Sequence, residues 1–113
     1  MTPEQKQVLA QAIETMGAPH QLQVMAIEEL AELTKAITKA TRSGIIKPWG
    51  IKPPCQESSM AEIEAYNNLC EEAADVEIML EQIKLMLNPE FFQIRLNRKI
   101  SRLQETINKT KQP

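Results

Sequence analysis

The chain has 113 residues, of which 42% are hydrophobic and 25% charged, and its formal net charge is −2. This length suits one small domain, and the ordinary balance of apolar and charged residues predicts that it folds. A charge so close to zero provides no overall basic field, so we expect no nucleic-acid partner. No apolar run approaches the roughly 20 residues of a membrane-spanning helix, so we expect no membrane partner either.

The cysteine pattern argues against a zinc site. Cys55 and Cys70 form no CxxC motif, and the chain has a single histidine. The first residues lack the apolar core of a signal peptide. We therefore expect reduced thiols in a cytoplasmic protein.

Apolar residues recur at helical spacing along almost the whole chain and predict four helices. In the first helix, Thr2 is suited to the N-cap, Pro3 to the first helical position and Gly17 to the stop. The first helix is therefore expected to span roughly the residues between Pro3 and Gly17.

The second helix is expected to follow Pro19, to run to about Arg42 and to end at Gly44. Residues 43–59 then hold three prolines, two glycines and the only tryptophan, Trp49. This composition predicts a loop that is long for a compact domain and free of strands.

The third helix opens with Ser59 and Glu62 in capping-box spacing and is expected to continue to Leu87. The break at Pro89 starts a fourth helix with an a/d seam. The seam consists of Phe92, Leu96, Ile100, Leu103 and Ile107. Residues 109–113 are expected to form a frayed tail.

These elements predict an all-α fold, a long-helix bundle with four helices in a single domain over residues 1–113. At 1.5 Å per residue, the third helix would be about 43 Å long. A compact domain of this size has a radius of gyration of only about 13 Å. Because such long helices are poorly covered by one chain, we expect a second copy to complete the bundle, as a homodimer or tetramer.

Two acidic pairs interrupt the apolar stripes of the second and third helices. Glu29 and Glu32 are three residues apart and so share one helix face, and Glu72 and Asp75 have the same spacing. Antiparallel packing along these stripes would bring four carboxylates together. Four partly buried charges are unfavourable unless their pKa values rise or a cation is bound.

All-oxygen ligands favour a hard divalent cation, with Mg²⁺ first and Mn²⁺ second. Glu28 and Glu71 add charge beside the two pairs and could hold a second ion or orient a water. The alternative interpretation is a solvated acidic face, which is what a single Glu-x-x-Glu pair usually forms.

The segments EELAEL at residues 28–33 and EEAADVEIMLEQI at 71–83 resemble the MazG-like all-α nucleoside triphosphate pyrophosphohydrolases. The signature of that family is Glu-Glu-x-x-Glu followed by Glu-x-x-Asp. TRSG at 41–44 and KISRLQETI at 99–107 are also similar to small single-domain members from phages and prophages. The resemblance covers roughly residues 20–108.

The resemblance implies an all-α enzyme that hydrolyses nucleoside triphosphates between the α- and β-phosphates, giving the monophosphate and pyrophosphate. It implies that Mg²⁺ is the cofactor, and the metal ligands would be Glu29, Glu32, Glu72 and Asp75. Either Glu28 or Glu71 would assist deprotonation of the attacking water.

Three basic residues are predicted to contact the phosphates of the substrate. Lys99 and Arg102 match the K..R pattern of the small family members, and Lys35 follows Glu32 by one helical turn. The alternative for Lys35 is an ordinary solvated base.

Two departures from the family pattern concern base recognition. The stretch between the acidic motifs, residues 33–71, is longer than in compact members, because of the loop with Trp49. That loop is either a lid whose indole stacks on the base or a mobile insertion. Met79 stands where other branches of the family carry an aromatic residue.

The same sequence is compatible with a second class of function. The chain could be a non-catalytic helical dimer that serves as an interaction module, or a regulatory module that binds nucleotides without hydrolysing them. A pure packing module would gain nothing from acids on its apolar stripes.

Overall fold

A computed structural model describes residues 1–112 of the chain, and helices make up most of them. The chain divides into two compact units, residues 1–82 and the residues from 83 onward. The elements are α1 Pro3–Met16, α2 Ala18–His20, a π-helical segment Gln21–Ala26, α3 Ile27–Ser43, β1 Ile46–Lys47, β2 Gly50–Ile51, α4 Met60–Met86 and α5 Pro89–Lys111.

Helix α1 begins and ends where the sequence predicts. The backbone N–H of Gln5 donates to Thr2 Oγ1 over 3.1 Å, and the Thr2 N–H donates to Gln5 Oε1 over 2.9 Å. This reciprocal capping box satisfies two N–H groups that the first turn would leave free. At the other end, Gly17 adopts φ +90°, which a residue with a Cβ adopts only with strain.

The predicted second helix is present but is not regular. It begins at Ala18, passes through the π-helical turn of residues 21–26 and continues as α3 to Ser43. Gly44 follows in the left-handed conformation, with φ +80°. Its N–H donates to the carbonyl of Thr41, which closes the helix. The predicted helix and its stop at Gly44 are confirmed, and the π-helical turn is a feature that the sequence analysis did not predict.

The predicted loop contains a short hairpin, so the expectation of no strand is wrong. Ile46 pairs with Ile51, and Lys47 pairs with Gly50, in antiparallel register. The Lys52 N–H donates to the Ile45 carbonyl over 2.8 Å, which extends the pairing by one bond. Two-residue strands carry too few alternating residues to produce a recognisable pattern.

Helix α4 opens with the predicted capping box. The Glu62 N–H donates to Ser59 Oγ over 3.1 Å, and the Ser59 N–H donates to Glu62 Oε1 over 2.9 Å. The hydrogen bond from the Ser59 N–H lowers the pKa of Glu62, because it favours the charged carboxylate, and the side chain of Ser59 lowers it further. The helix ends at Met86, one residue before the predicted end.

Helix α5 starts at the predicted Pro89, and Asn88 caps it by accepting from the N–H groups of Glu90 and Phe91. The helix continues to Lys111 rather than fraying from residue 109. Basic residues in its last turn complement the partial negative charge of the helix terminus. Position 113, the end of the predicted tail, lies outside the described residues.

The first unit has a small core where α3, the hairpin and α4 meet. Ala40, Ile45 and Ala65 are buried there, and Tyr66 and Leu69 pack against them. Many larger apolar side chains stay exposed, including the predicted α5 seam residues Leu96, Ile100, Leu103 and Ile107, which are 39–58% exposed. No helix within residues 1–112 is long and apolar enough to cross a membrane.

Candidate metal centre

Glu29 lies within the buried stripe of α3. Buried and half-buried residues recur along this segment at alternating spacings of three and four. They are Ala26, Glu29, Leu33, Ala36 and Ala40. This spacing keeps the residues on one side of a helix. The carboxylate of Glu29 is therefore held half-buried by the same stripe that packs α3 into the fold.

Glu72 has the equivalent place on α4. The buried and half-buried stripe of this helix consists of Ala65, Leu69, Glu72, Val76 and Met79. The chain thus puts one acid in the middle of each of two apolar stripes. Asp75 lies one turn after Glu72 and completes the set on α4.

The two stripes bring three carboxylates together. Glu29, Glu72 and Asp75 each offer an oxygen, and the three oxygens lie within 4.8 Å of one another. All three side chains can still be reached by solvent. Carboxylate oxygens are the donors that hard divalent cations prefer, so this acidic triad could hold a metal ion.

The electrostatics of the triad favour either a proton or a cation. Desolvation raises the pKa of Glu29, and the nearby charge of Asp75 raises it further, as does a hydrogen bond between the two carboxyl groups. Desolvation also raises the pKa of Glu72, followed by the charge of Asp75. A cation between these groups would replace the proton and remove the repulsion.

Glu32, the fourth predicted ligand, lies next to the triad but is not one of its three members. Its side chain is 50% exposed, and its Oε1 lies 3.4 Å from the Nζ of Lys35. The charge of Glu32 nevertheless helps to raise the pKa values of Glu29 and Glu72. Glu32 is therefore near enough to act on the triad electrostatically while its own carboxylate pairs with Lys35.

The other predicted site residues are exposed. Glu28 and Glu71 each precede a triad residue in the chain and point away from the buried stripes. Trp49 lies in the hairpin turn and is 70% exposed. Lys99 and Arg102 lie one turn apart on α5, in the second unit.

The sequence analysis did not predict a buried polar pair that lies where the segment before α3 packs against α4. Gln21 and Gln82 are 4% and 2% exposed, and Gln21 Nε2 donates to Gln82 Oε1 over 2.8 Å. Gln82 follows Met79 by three, so the helical spacing of α4 could have indicated it. No such signal exists for Gln21, because its inward orientation depends on the π-helical turn.

Comparisons with the models of known protein families, with curated proteins and with solved structures find no match for this chain.

Proposed function

We propose that this chain is a Mg²⁺-dependent nucleoside triphosphate pyrophosphohydrolase. It would cleave ribo- or deoxynucleoside triphosphates between the α- and β-phosphates and release the monophosphate and pyrophosphate. The observation that carries the proposal is the triad of Glu29, Glu72 and Asp75, whose carboxylate oxygens lie within 4.8 Å of one another. The resemblance of the two acidic motifs to the MazG-like family supplies the reaction.

The triad fits the proposed cofactor in donor type and in charge. Its three oxygens would hold Mg²⁺ or Mn²⁺, and Glu32 would join them on giving up its pairing with Lys35. When bound, the ion neutralises phosphate charge and makes water a better nucleophile at neutral pH. Binding would also offset the desolvation and the repulsion between carboxylates that together raise the pKa values of Glu29 and Glu72.

The proton of the attacking water needs an acceptor near the triad. Glu28 and Glu71 are the adjacent carboxylates that the triad does not use, and both are exposed. We assign general-base catalysis to one of them. A Glu→Gln substitution at the acting residue removes the base and keeps the shape of the side chain.

The phosphates of the substrate need fixed positive charge. Lys35 is exposed one turn from Glu32 and would exchange that carboxylate for a phosphate oxygen. Lys99 and Arg102 are assigned the same task, and Arg102 can bind two phosphate oxygens at once. Trp49 is assigned to the base, on which its exposed indole could stack.

A second copy of the chain is part of the proposal. A single chain leaves large apolar side chains exposed on α3 and α4, among them Ile27, Leu30, Ile37 and Leu80, at 46–61%. Covering such surface is the usual driving force for obligate oligomers. We therefore propose a homodimer or tetramer that works in the cytoplasm.

The exposed seam of α5 favours one alternative, a non-catalytic helical dimer that acts as an interaction or nucleotide-binding regulatory module. A row of exposed leucines and isoleucines at a/d spacing is suited to pairing with another helix. In that case the α5 seam would bind the partner helix, and the triad would take no part in catalysis.

Product analysis separates the two functions. Purified protein is incubated with millimolar Mg²⁺ and a panel of ribo- and deoxynucleoside triphosphates, and pyrophosphate and orthophosphate are detected separately. Pyrophosphate with monophosphate is the expected result, and Glu29→Gln or Asp75→Asn should abolish it. Glu77→Gln is the matched control, because Glu77 is exposed on α4 outside the triad.

Two outcomes would contradict the proposal. Orthophosphate with diphosphate would place the cleavage at another bond and exclude the assigned reaction. A folded protein that gives no product with any nucleotide would favour the non-catalytic module.

A further inference from the structure

A buried amide pair joins the two segments that carry the acidic triad. Gln21 Nε2 donates to Gln82 Oε1 over 2.8 Å, and both side chains are almost fully buried. His20 Nδ1 lies 3.0 Å from Gln21 Oε1, and Gln82 Nε2 lies 3.7 Å from Met79 Sδ. Both glutamines therefore have partners at each end of their amide groups.

The π-helical turn explains why Gln21 points inward. In a regular α-helix, residues five apart differ in direction by about 140°, because each residue turns the chain by about 100°. In a π-helix the i→i+5 hydrogen bond brings such residues close to one face. Gln21 and Ala26 are five apart and are both buried. The irregular turn thus lets Gln21 share the face on which Ala26 begins the α3 stripe.

Small side chains make up much of the surface by which α3 packs on α4. Four of the buried residues are alanines, namely Ala26, Ala36, Ala40 and Ala65, and three of these four belong to the stripe that leads into and along α3. Small side chains interlock less than large ones, so packing alone distinguishes less strongly between neighbouring axial positions. A directional hydrogen bond between buried groups distinguishes those positions, because any slip leaves the Gln21 Nε2–H donor and the Gln82 Oε1 acceptor without each other. Buried polar residues set the register of coiled coils in the same way.

The axial register of α3 against α4 decides whether the three carboxylates of the triad come together. Gln21 precedes Glu29 by eight residues, and Gln82 follows Asp75 by seven, on segments that run antiparallel. A slip of one helical turn moves a residue by about 5.4 Å. That displacement is larger than the 4.8 Å within which the triad oxygens lie.

We propose that the Gln21–Gln82 hydrogen bond fixes the axial register of α3 against α4 and thereby positions Glu29 opposite Glu72 and Asp75. The two glutamines are positioning residues, since they act through the carboxylates. The part of this inference that concerns metal affinity rests on the proposed function. The part that concerns register does not.

Cross-linking tests the register without metal or substrate. Glu29→Cys and Asp75→Cys are introduced together in a background of Cys55→Ser and Cys70→Ser, and a short bis-methanethiosulfonate reagent links the new thiols. We expect rapid cross-linking with the glutamine pair intact. Replacing both glutamines, as Gln21→Leu with Gln82→Leu, should slow it several-fold while the circular dichroism stays helical.

The matched control is Gln23→Leu, an exposed glutamine in the same π-helical segment, which should leave the rate unchanged. An unchanged rate in the double leucine variant would overturn the proposal. If that variant does not fold, Gln82→Met keeps the length of the side chain and gives the same comparison.

Manganese affinity, measured by electron paramagnetic resonance on protein with its native acids, gives the second readout. The double leucine variant should bind Mn²⁺ about 10- to 100-fold more weakly, as expected when groups behind metal ligands are lost. Equal affinity in the folded variant would overturn the positioning role. If the unsubstituted protein binds no Mn²⁺, the proposed metal function fails, and cross-linking alone still decides the register.

Discussion

Glu29 on α3 and Asp75 on α4 place carboxylate oxygens within 4.8 Å of each other, with an oxygen of Glu72 at the same range. Glu29 and Glu72 belong to the stripes by which the helices pack, and Asp75 lies one turn after Glu72. Removing the repulsion by moving them apart would therefore disturb the packing of α3 and α4. Protonation and cation binding are the two ways to relieve the repulsion without moving the helices, and several predictions depend on this choice.

Millimolar Mg²⁺ or Mn²⁺ should raise the melting temperature of the protein. An ion that binds only the folded state stabilises it by mass action, by about 2.7 kcal/mol at one hundred times its dissociation constant. Thermal unfolding followed by circular dichroism, with and without the ion, measures the shift. Glu29→Gln should abolish it and Glu77→Gln should preserve it. The same shift in the Glu29→Gln variant would show that the ion binds elsewhere.

The stability of the metal-free protein should fall as the pH rises above about 4.3, the pKa of an unperturbed glutamate. The folded protein keeps its protons on Glu29 and Glu72 to higher pH than the unfolded chain does, because both pKa values are raised. The stabilisation is therefore complete below the unfolded pKa and is lost as the pH passes the folded values.

Urea denaturation at a series of pH values measures this trend. The Glu29→Gln variant should show a smaller decrease over the same range, since it cannot lose that proton. Glu62 does not account for this trend. Because its pKa is lowered, its contribution to the free energy of unfolding changes at lower pH and increases as the pH rises. Equal slopes in the two proteins would mean that Glu29 does not titrate with a raised pKa.

The emission of Trp49 should be that of a solvated indole and should shift little on unfolding. Its side chain is 70% exposed, and it is the only tryptophan, so it reports on the hairpin alone. Nucleotide addition then distinguishes the two interpretations of the loop. Quenching of the Trp49 emission when a nucleotide binds would support stacking of the indole on the base. Unchanged emission with a nucleotide that the protein hydrolyses would favour the interpretation of the loop as a mobile insertion.

Local rules in the sequence predicted the ends of the helices well. The capping of α1 by Thr2 and of α4 by Ser59 depends on residues three apart, and the stop at Gly44 depends on one backbone conformation. The position of Glu29 on a buried stripe is local as well, because helical spacing alone defines it.

Features that depend on irregular backbone or on distant contacts were missed. The π-helical turn at residues 21–26 has no distinctive composition, and the hairpin around Trp49 has strands of only two residues. The Gln21–Gln82 pair requires both the irregular turn and the pairing of two helices. The continuation of α5 to Lys111 differs from the predicted tail because the last turn is stabilised by its basic residues.

Ser59→Ala should destabilise the protein by about 1 kcal/mol, the usual effect of removing an N-cap side chain. The Ser59 hydroxyl accepts the hydrogen bond of the Glu62 N–H, which alanine leaves without a protein partner. Ser59→Asp keeps an acceptor at this position and should retain most of the stability. Urea denaturation measures both variants. A loss of equal size in Ser59→Asp would mean that the capping bond is not the source of the effect.

Ala36→Leu should destabilise the fold by about 1–3 kcal/mol, the usual cost of forcing extra volume into a packed core. Ala36 is fully buried in the α3 stripe, between Leu33 and Ala40. Ala31→Leu is the matched control, because it adds the same atoms to an exposed position of α3 and should change the stability little. Forcing α3 away from α4 should also separate Glu29 from Asp75, so the Mg²⁺-dependent rise in melting temperature should shrink in Ala36→Leu and persist in Ala31→Leu. A destabilised Ala36→Leu variant with a full metal response would show that the triad tolerates a change in the spacing of the two helices.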